Sequence, residues 1–135
     1  MKSLDTNILL YSIDNSDKEK HAKALEIIED LFNNRQNYCI SLQVLSEFAY
    51  VINKKYRKAR SLAKELIIHL LNSKAKIINY SEKELLLSIN HKNLFDALIA
   101  YTYHLSGCDT LLTENKKDMP RIKEFKLVNP FSRSK

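Results

Sequence analysis

Apolar residues along this chain follow two rhythms. Short compact runs at Lys2–Asp5, Tyr38–Ser41 (YCIS), Ala75–Tyr80 (AKIINY), Cys108–Thr113 (CDTLLT) and Lys126–Phe131 (KLVNPF) have the length and bounding residues of buried strands. Between them, apolar positions recur at helical spacing. TNILLYSI follows the first strand at once, and Ser16–Asn34 places Ala24, Leu25, Ile28, Leu31 and Phe32 on one stripe. Leu42–Tyr56, Ala59–Asn72 and Ser81–His91 repeat that pattern. Asn93–Gly107 is apolar almost all round, which marks a central helix, and it stops at Gly107. Ser16 with Glu19, and Ser81 with Glu84, have the spacing of capping boxes. DMPRI reads as a short turn or helix before the last strand.

Strands alternating with helices predict an α/β fold, a three-layer α/β/α sandwich around a central, mostly parallel sheet. At 135 residues the chain is expected to form one domain, residues 1–135. No apolar run approaches the ~20 residues of a membrane span, and the N-terminus lacks an export signal. A cytoplasmic protein with no membrane partner is expected. Cys39 and Cys108 carry no metal-site spacing and read as isolated buried thiols in a reducing compartment.

Composition narrows the chemistry. A single glycine, Gly107, excludes a P-loop, a dinucleotide fingerprint and a nucleophile elbow, each of which needs several. The four histidines are dispersed and form no HExxH zinc motif. Twenty-two Lys and Arg against sixteen Asp and Glu give a net charge of +6. The excess is dense in KKYRKAR (Lys54 to Arg60), at Lys116 and Lys117, and in the tail SRSK. Lys54, Lys55, Arg57, Lys116 and Lys117 are therefore candidate contacts to a nucleic acid.

The acidic residues follow a different logic. In open α/β sheets the ligand crevice lies off the carboxyl ends of the strands, and Asp5 ends the first strand inside the apolar context KSLDTNILLY. Glu47 lies at the edge of an apolar helical arc beside Val44 and Val51. Asp96 sits in the first turn of the central helix, where Asn93 as cap and Asp96 facing the helix dipole offer a purely structural reading. Asn115 and Asp118 leave the fourth strand three residues apart and point the same way if the chain turns there; Glu114 points elsewhere. Three carboxylates with apolar neighbours at one sheet edge repel one another unless a cation compensates. Oxygen ligands without His or Cys select Mg²⁺ or Mn²⁺, which acidifies water and clamps phosphate oxygens. A basic surface around such a pocket describes a nuclease.

LDTNILLY, LQVLSEF, LFDALIAYTYHLSGCDTLLTEN and VNPF, in that order and spanning nearly the whole chain, resemble the PIN-domain family of metal-dependent ribonucleases, and in size its VapC-type toxins. The resemblance implies Asp5 and Asp96 as metal ligands and Glu47 as holder of a metal-bound water or a second ion. It also implies Thr6 and Thr113 as groups that orient the carboxylates. The implied reaction is hydrolysis of RNA phosphodiesters by metal-activated water. The implied partners are an RNA substrate, a cognate antitoxin that places a basic side chain in the acidic pocket, and a second copy in a homodimer. Asn115 departs from the pattern, since many members carry an aspartate there; its amide oxygen still coordinates a hard cation, and Asp118 is the candidate for the missing charge. A non-toxin PIN nuclease of RNA processing, or a weakly catalytic RNA- or protein-binding module, are the alternative readings.

Overall fold

A computed structural model describes residues 1–132. Its centre is a five-stranded sheet in the order β3-β2-β1-β4-β5, built from β1 (Lys2–Leu4), β2 (Tyr38–Ser41), β3 (Lys76–Ile78), β4 (Thr110–Leu112) and β5 (Lys126–Val128). Every neighbouring pair is parallel. The helices are α1 (Thr6–Ile13), α2 (Lys18–Asn33), α3 (Leu42–Lys55), α4 (Arg60–Leu71), α5 (Glu82–Ser88) and α6 (Leu94–Leu105). They pack in two groups, α1 with α2 and α3 and α3 with α4 in one, α5 with α6 in the other. The α/β architecture expected from the alternating rhythms is thus the architecture found. Strand order reverses at β1, because the chain runs outward through β2 and β3 and then crosses back to β4. The carboxyl ends of β1 and β4 therefore flank the crevice where ligands of such sheets bind.

Local chemistry explains most element boundaries. Ser41 ends β2 and caps α3, its hydroxyl accepting from the Gln43 amide at 3.1 Å. At the end of α6 the Cys108 amide donates to the Tyr103 carbonyl (3.0 Å) and the Gly107 amide to that of His104 (3.1 Å). This is a Schellman closure, and Gly107 supplies the positive φ of 96° that it requires. Ser81 and Glu84 form the expected box, with Glu84 Oε1 accepting from both the backbone amide and the hydroxyl of Ser81.

Other expectations are corrected. The cap of α2 is Asp17, whose carboxylate accepts from the Lys20 amide at 3.1 Å. Ser16 instead precedes the cap, with its amide and hydroxyl both donating to Asp14 Oδ1 at 2.9 and 2.7 Å. Leu25 lies exposed, and the buried stripe of α2 runs through Ala24, Ile27, Ile28 and Leu31. The 3-10 segment falls at Lys116–Asp118, meeting DMPRI only at Asp118, and the turn directly before β5 is at Lys123–Glu124. The cysteines are buried and free but not isolated. Contact with Cys108 holds the Cys39 thiol below its ordinary range, Cys108 is pushed up in turn, and Cys39 also donates to Met1 Sδ at 3.6 Å. The basic tail beyond Ser132 lies outside the described residues.

Replacing Gly107 with Ala tests the helix stop. The added Cβ meets only Met1 Cε, at 3.8 Å, so the cost is conformational. Urea unfolding should show a loss of about 1–2 kcal/mol, and an unchanged midpoint would contradict the Schellman assignment.

Candidate active site

Asp5 leaves β1 as the cap of α1, and its buried carboxylate is bonded on both oxygens. Oδ1 accepts from the Thr6 amide at 2.7 Å and Oδ2 from the Thr113 hydroxyl at 2.6 Å. The Asp5 amide continues the parallel pairing by donating to the Leu112 carbonyl at 3.0 Å. Thr113 is thus the residue that ties the exit of β4 to the exit of β1. Beneath them lies Tyr103 of α6, wholly buried. Its hydroxyl donates to the Leu4 carbonyl at 2.6 Å and accepts from the Ser41 amide at 3.1 Å, locking β1 to β2 one residue below the site.

Glu47 stands on α3 and is gripped by Gln43, one turn earlier on the same face. Gln43 Nε2 donates to Glu47 Oε2 at 2.9 Å and to the Phe95 carbonyl at 3.0 Å. A single amide therefore ties α3 to the residue next to Asp96. Asn115 brings the segment after β4 into the same space, its Nδ2 donating to Asp96 Oδ2 at 3.4 Å and its backbone amide to Thr113 Oγ1 at 2.9 Å.

The carboxylates feel one another. Burial pushes Asp96 up to about 6, reinforced by the negative charges of Asp5, Asp118 and Glu47 and opposed by His91. Burial raises Glu47, with the Gln43 bond pulling it back and the charge of Asp5 adding to the rise. Burial raises Asp5 more than its bonds to Thr113 and Thr6 lower it. Asp5, Glu47, Asp96 and Asp118, which come from four separate segments, thus occupy one field.

The capping account of Asp96 holds only in part: Asp96 does lie in the first turn of α6. Asn93 holds the cap position, but no cap bond forms from its side chain, whose amide donates instead to the Asp118 carbonyl at 3.4 Å. Glu114 turns away as expected and is held by the Tyr11 hydroxyl and Lys20 Nζ, both at 2.6 Å. Lys116 and Lys117 lie in the turn that follows Asn115, at the margin of the centre. Lys54 and Lys55 lie two helical turns beyond Glu47 at the end of α3, with Arg57 just past it. Lys54 there donates to the Tyr50 hydroxyl at 3.1 Å. Gln43, Tyr103 and the Tyr11–Lys20–Glu114 network did not stand out in the sequence. The i, i+4 spacing of Gln43 and Glu47 was the one available signal.

Residues 3–124 match the family model of the PIN domain. The chain belongs to the PIN domain family. Solved structures similar to this PIN domain include Mycobacterium tuberculosis VapC20, a sarcin–ricin-loop-cleaving toxin. That match has a TM-score of 0.66 at 12% identity, covering 87% of this chain and 92% of that one. FitAB bound to an IR36 DNA fragment matches with a TM-score of 0.71 at 14% identity, over 100% and 99% of the two chains. VapBC2 from Rickettsia felis, bound to a DNA fragment from its promoter, matches with a TM-score of 0.61 at 28% identity, over 95% and 97%. No curated protein sequence matches significantly. Among the described residues, no helix of this PIN domain is long and apolar enough to cross a membrane.

The raised pKa has a signed consequence for stability. An acid that binds its proton more tightly folded than unfolded stabilises the fold at low pH and loses that contribution as pH rises. For Asp96 the window runs from its ordinary value of 3.8 to about 6. In EDTA at pH 7.5, Asp96→Asn should therefore be more stable than wild type, by about 1 kcal/mol after allowing for solvent screening. The gap should close by pH 4. Denaturation midpoints at the two pH values check this, and a variant less stable than wild type at pH 7.5 would contradict the crowding of charge.

Proposed function

We propose that this PIN domain is a divalent-metal-dependent endoribonuclease, acting in the cytoplasm as the toxin of a toxin–antitoxin pair. The observation that carries this reading is the gathering of Asp5, Glu47 and Asp96 at the switch point of the sheet, held there by Thr113, Gln43 and Asn115, with the charge of Asp5 reaching the other two. Such crowding is unfavourable for an empty structural pocket and favourable for one that receives a cation.

The donor set suits a hard cation, Mg²⁺ or Mn²⁺. Thr6 Oγ1 and Gln43 Oε1 are buried without hydrogen-bond partners among the described residues, one next to Asp5 in the chain and the other on the side chain that grips Glu47. Orphaned polar atoms at an acidic centre call for a hydrated ion. Among the described residues, no three His, Cys, Asp or Glu side chains group tightly enough to enclose a cation by themselves.

When bound, the cation neutralises the cluster and acidifies a coordinated water for attack on phosphorus. In this reading Asp5 and Asp96 are the ligands. Thr113 and the Thr6 amide hold the Asp5 carboxylate in one orientation. Glu47, steadied by Gln43, orients the attacking water or a second ion. Asn115 steadies Asp96 through its amide nitrogen and offers its oxygen to the centre, and Asp118 supplies the charge that Asn115 lacks. Lys116 and Lys117 meet the RNA backbone, with Lys54, Lys55 and Arg57 as further contacts. A cognate antitoxin blocks the pocket with a basic side chain, as the family resemblance implies.

A homodimer belongs to the same reading, and α5 supports it. This helix buries Glu84 and Ser88 and turns Leu85, Leu86 and Leu87 to solvent, with Leu86 69% exposed. Three exposed leucines on one short helix are apolar surface that a second copy could cover. Leu86→Glu is expected to convert a dimer to a monomer in sedimentation velocity; a wild type already monomeric at high concentration would remove this element.

The central test is cleavage of total cellular RNA with Mg²⁺, Mn²⁺ or EDTA. Cutting should require the metal and fall by roughly 10²-fold or more in Asp5→Ala and in Asp96→Asn, with circular dichroism unchanged. Undiminished cutting in EDTA, or by either variant, would refute the proposal.

A further inference from the structure

An open hollow of about 440 Å³ adjoins the acidic centre, between the start of α3, the segment after β3 and the start of α6. Phe95, Tyr80 and Leu98 give it apolar walls, and Gln43, Ser46 and Asn79 give it polar edges. No charged side chain lines it. Its aromatic rings are the reverse of core aromatics, Phe95 being 66% and Tyr80 44% exposed.

The hollow and the acidic centre share a wall. Phe95 directly precedes Asp96, and the Gln43 amide that holds Glu47 also holds the Phe95 carbonyl. Both donations of Gln43 come from Nε2, while Oε1 is buried without a donor among the described residues. Asn79 Oδ1 accepts from the Tyr80 amide at 2.9 Å, which fixes its carboxamide at the rim. A phosphate has no cation to meet in this hollow. A flat, neutral ring with polar edges meets aromatic faces, apolar floor and amide groups, and such stacking is how proteins hold unpaired bases.

We propose that this hollow is a nucleobase subsite: Phe95 and Tyr80 stack the base of a nucleotide flanking the scissile phosphate, and Ser46 and Asn79 contact its edge. The subsite rests on the ribonuclease reading and gives it a substrate preference. RNA is gripped by one base beside the cut, so single-stranded segments with an extruded base are preferred over paired ones. Phe95 and Tyr80 select substrate, while Gln43 couples the seated base to Glu47.

Two measurements test this. The first compares cleavage of RNA oligonucleotides in which each base near the cut is replaced in turn by an abasic ribose. Wild type should show one position where base loss raises KM by roughly ten- to a hundredfold, and Phe95→Ala should raise KM similarly and make that base loss silent. Additive penalties, or no sensitive position despite metal-dependent cutting, would overturn the subsite and leave the nuclease standing. The second uses the Asp96→Asn background and RNA carrying 2-aminopurine at each position. Quenching at one position, abolished by adding Phe95→Ala, is expected whether or not the wild type cuts. Equal quenching in both proteins would overturn the proposal. A Phe95→Ala protein that becomes monomeric, and whose losses recover at high protein concentration, would assign the face to a second copy of the chain instead.

Discussion

The organisation of this molecule depends on holding like charges together around one buried carboxylate. Asp5 is buried at the carboxyl end of β1, and its field reaches Glu47 from α3 and Asp96 from α6. Each carboxylate would gain by moving apart, which the fold resists, or by protonating, which is why Asp96 holds its proton up to about 6. The parallel sheet prevents separation, because β1 and β4 lie side by side in register and their exits cannot diverge at the strand ends. The bond from Thr113 to Asp5 is the chemical form of that constraint, one hydroxyl joining residues 108 positions apart.

Around that constraint the chain invests in rigidity. Tyr103 is a phenol in the core whose hydroxyl is satisfied on both sides by backbone, so its burial costs little and pins β1 to β2. Gln43 does the same between α3 and α6. On the far side, Lys20 and Tyr11 hold Glu114, and the Glu114 amide approaches Asn7 Oδ1 at 3.4 Å. The residue between Thr113 and Asn115 is thereby drawn outward, which leaves its two neighbours directed inward. Side chains that carry no chemistry of their own thus set the geometry of those that do.

The outer surface departs from the usual division of polar and apolar. The short helix α5 spends its buried side on Glu84 and Ser88, whose hydroxyl donates to the Glu84 carbonyl at 2.8 Å. Its leucines are left to face outward. Phe95 and Tyr80 are likewise turned out close to the acidic centre. The core aromatics Tyr38, Phe48 and Tyr103 are closed off from solvent, so Phe95 and Tyr80 stand out as aromatics turned outward.

Much of this was legible without coordinates. Hydrophobic period distinguishes strands from helices, since each buries one face or stripe, and the alternation of the two implies a parallel sheet with its crevice at the strand exits. Asp5, Glu47 and Asp96 stood out because a carboxylate with apolar neighbours needs a reason. Cap identity was less legible: Ser16 and Asp17 are equally good caps in isolation, and only the folded chain shows Asp17 as the cap with Ser16 bonded to Asp14. The direction of α5 was not legible, because a periodic pattern shows that a helix has an apolar face and not which way it turns. Nor were Gln43 and Tyr103, whose partners are carbonyls and carboxylates brought close only by folding. Sequence by itself determined which residue types and periods were present, and hence the fold class and the acids available to a site. Tertiary structure alone decided which of them share a field, because electrostatic and hydrogen-bond energies depend on distances in space that separation along the chain does not encode.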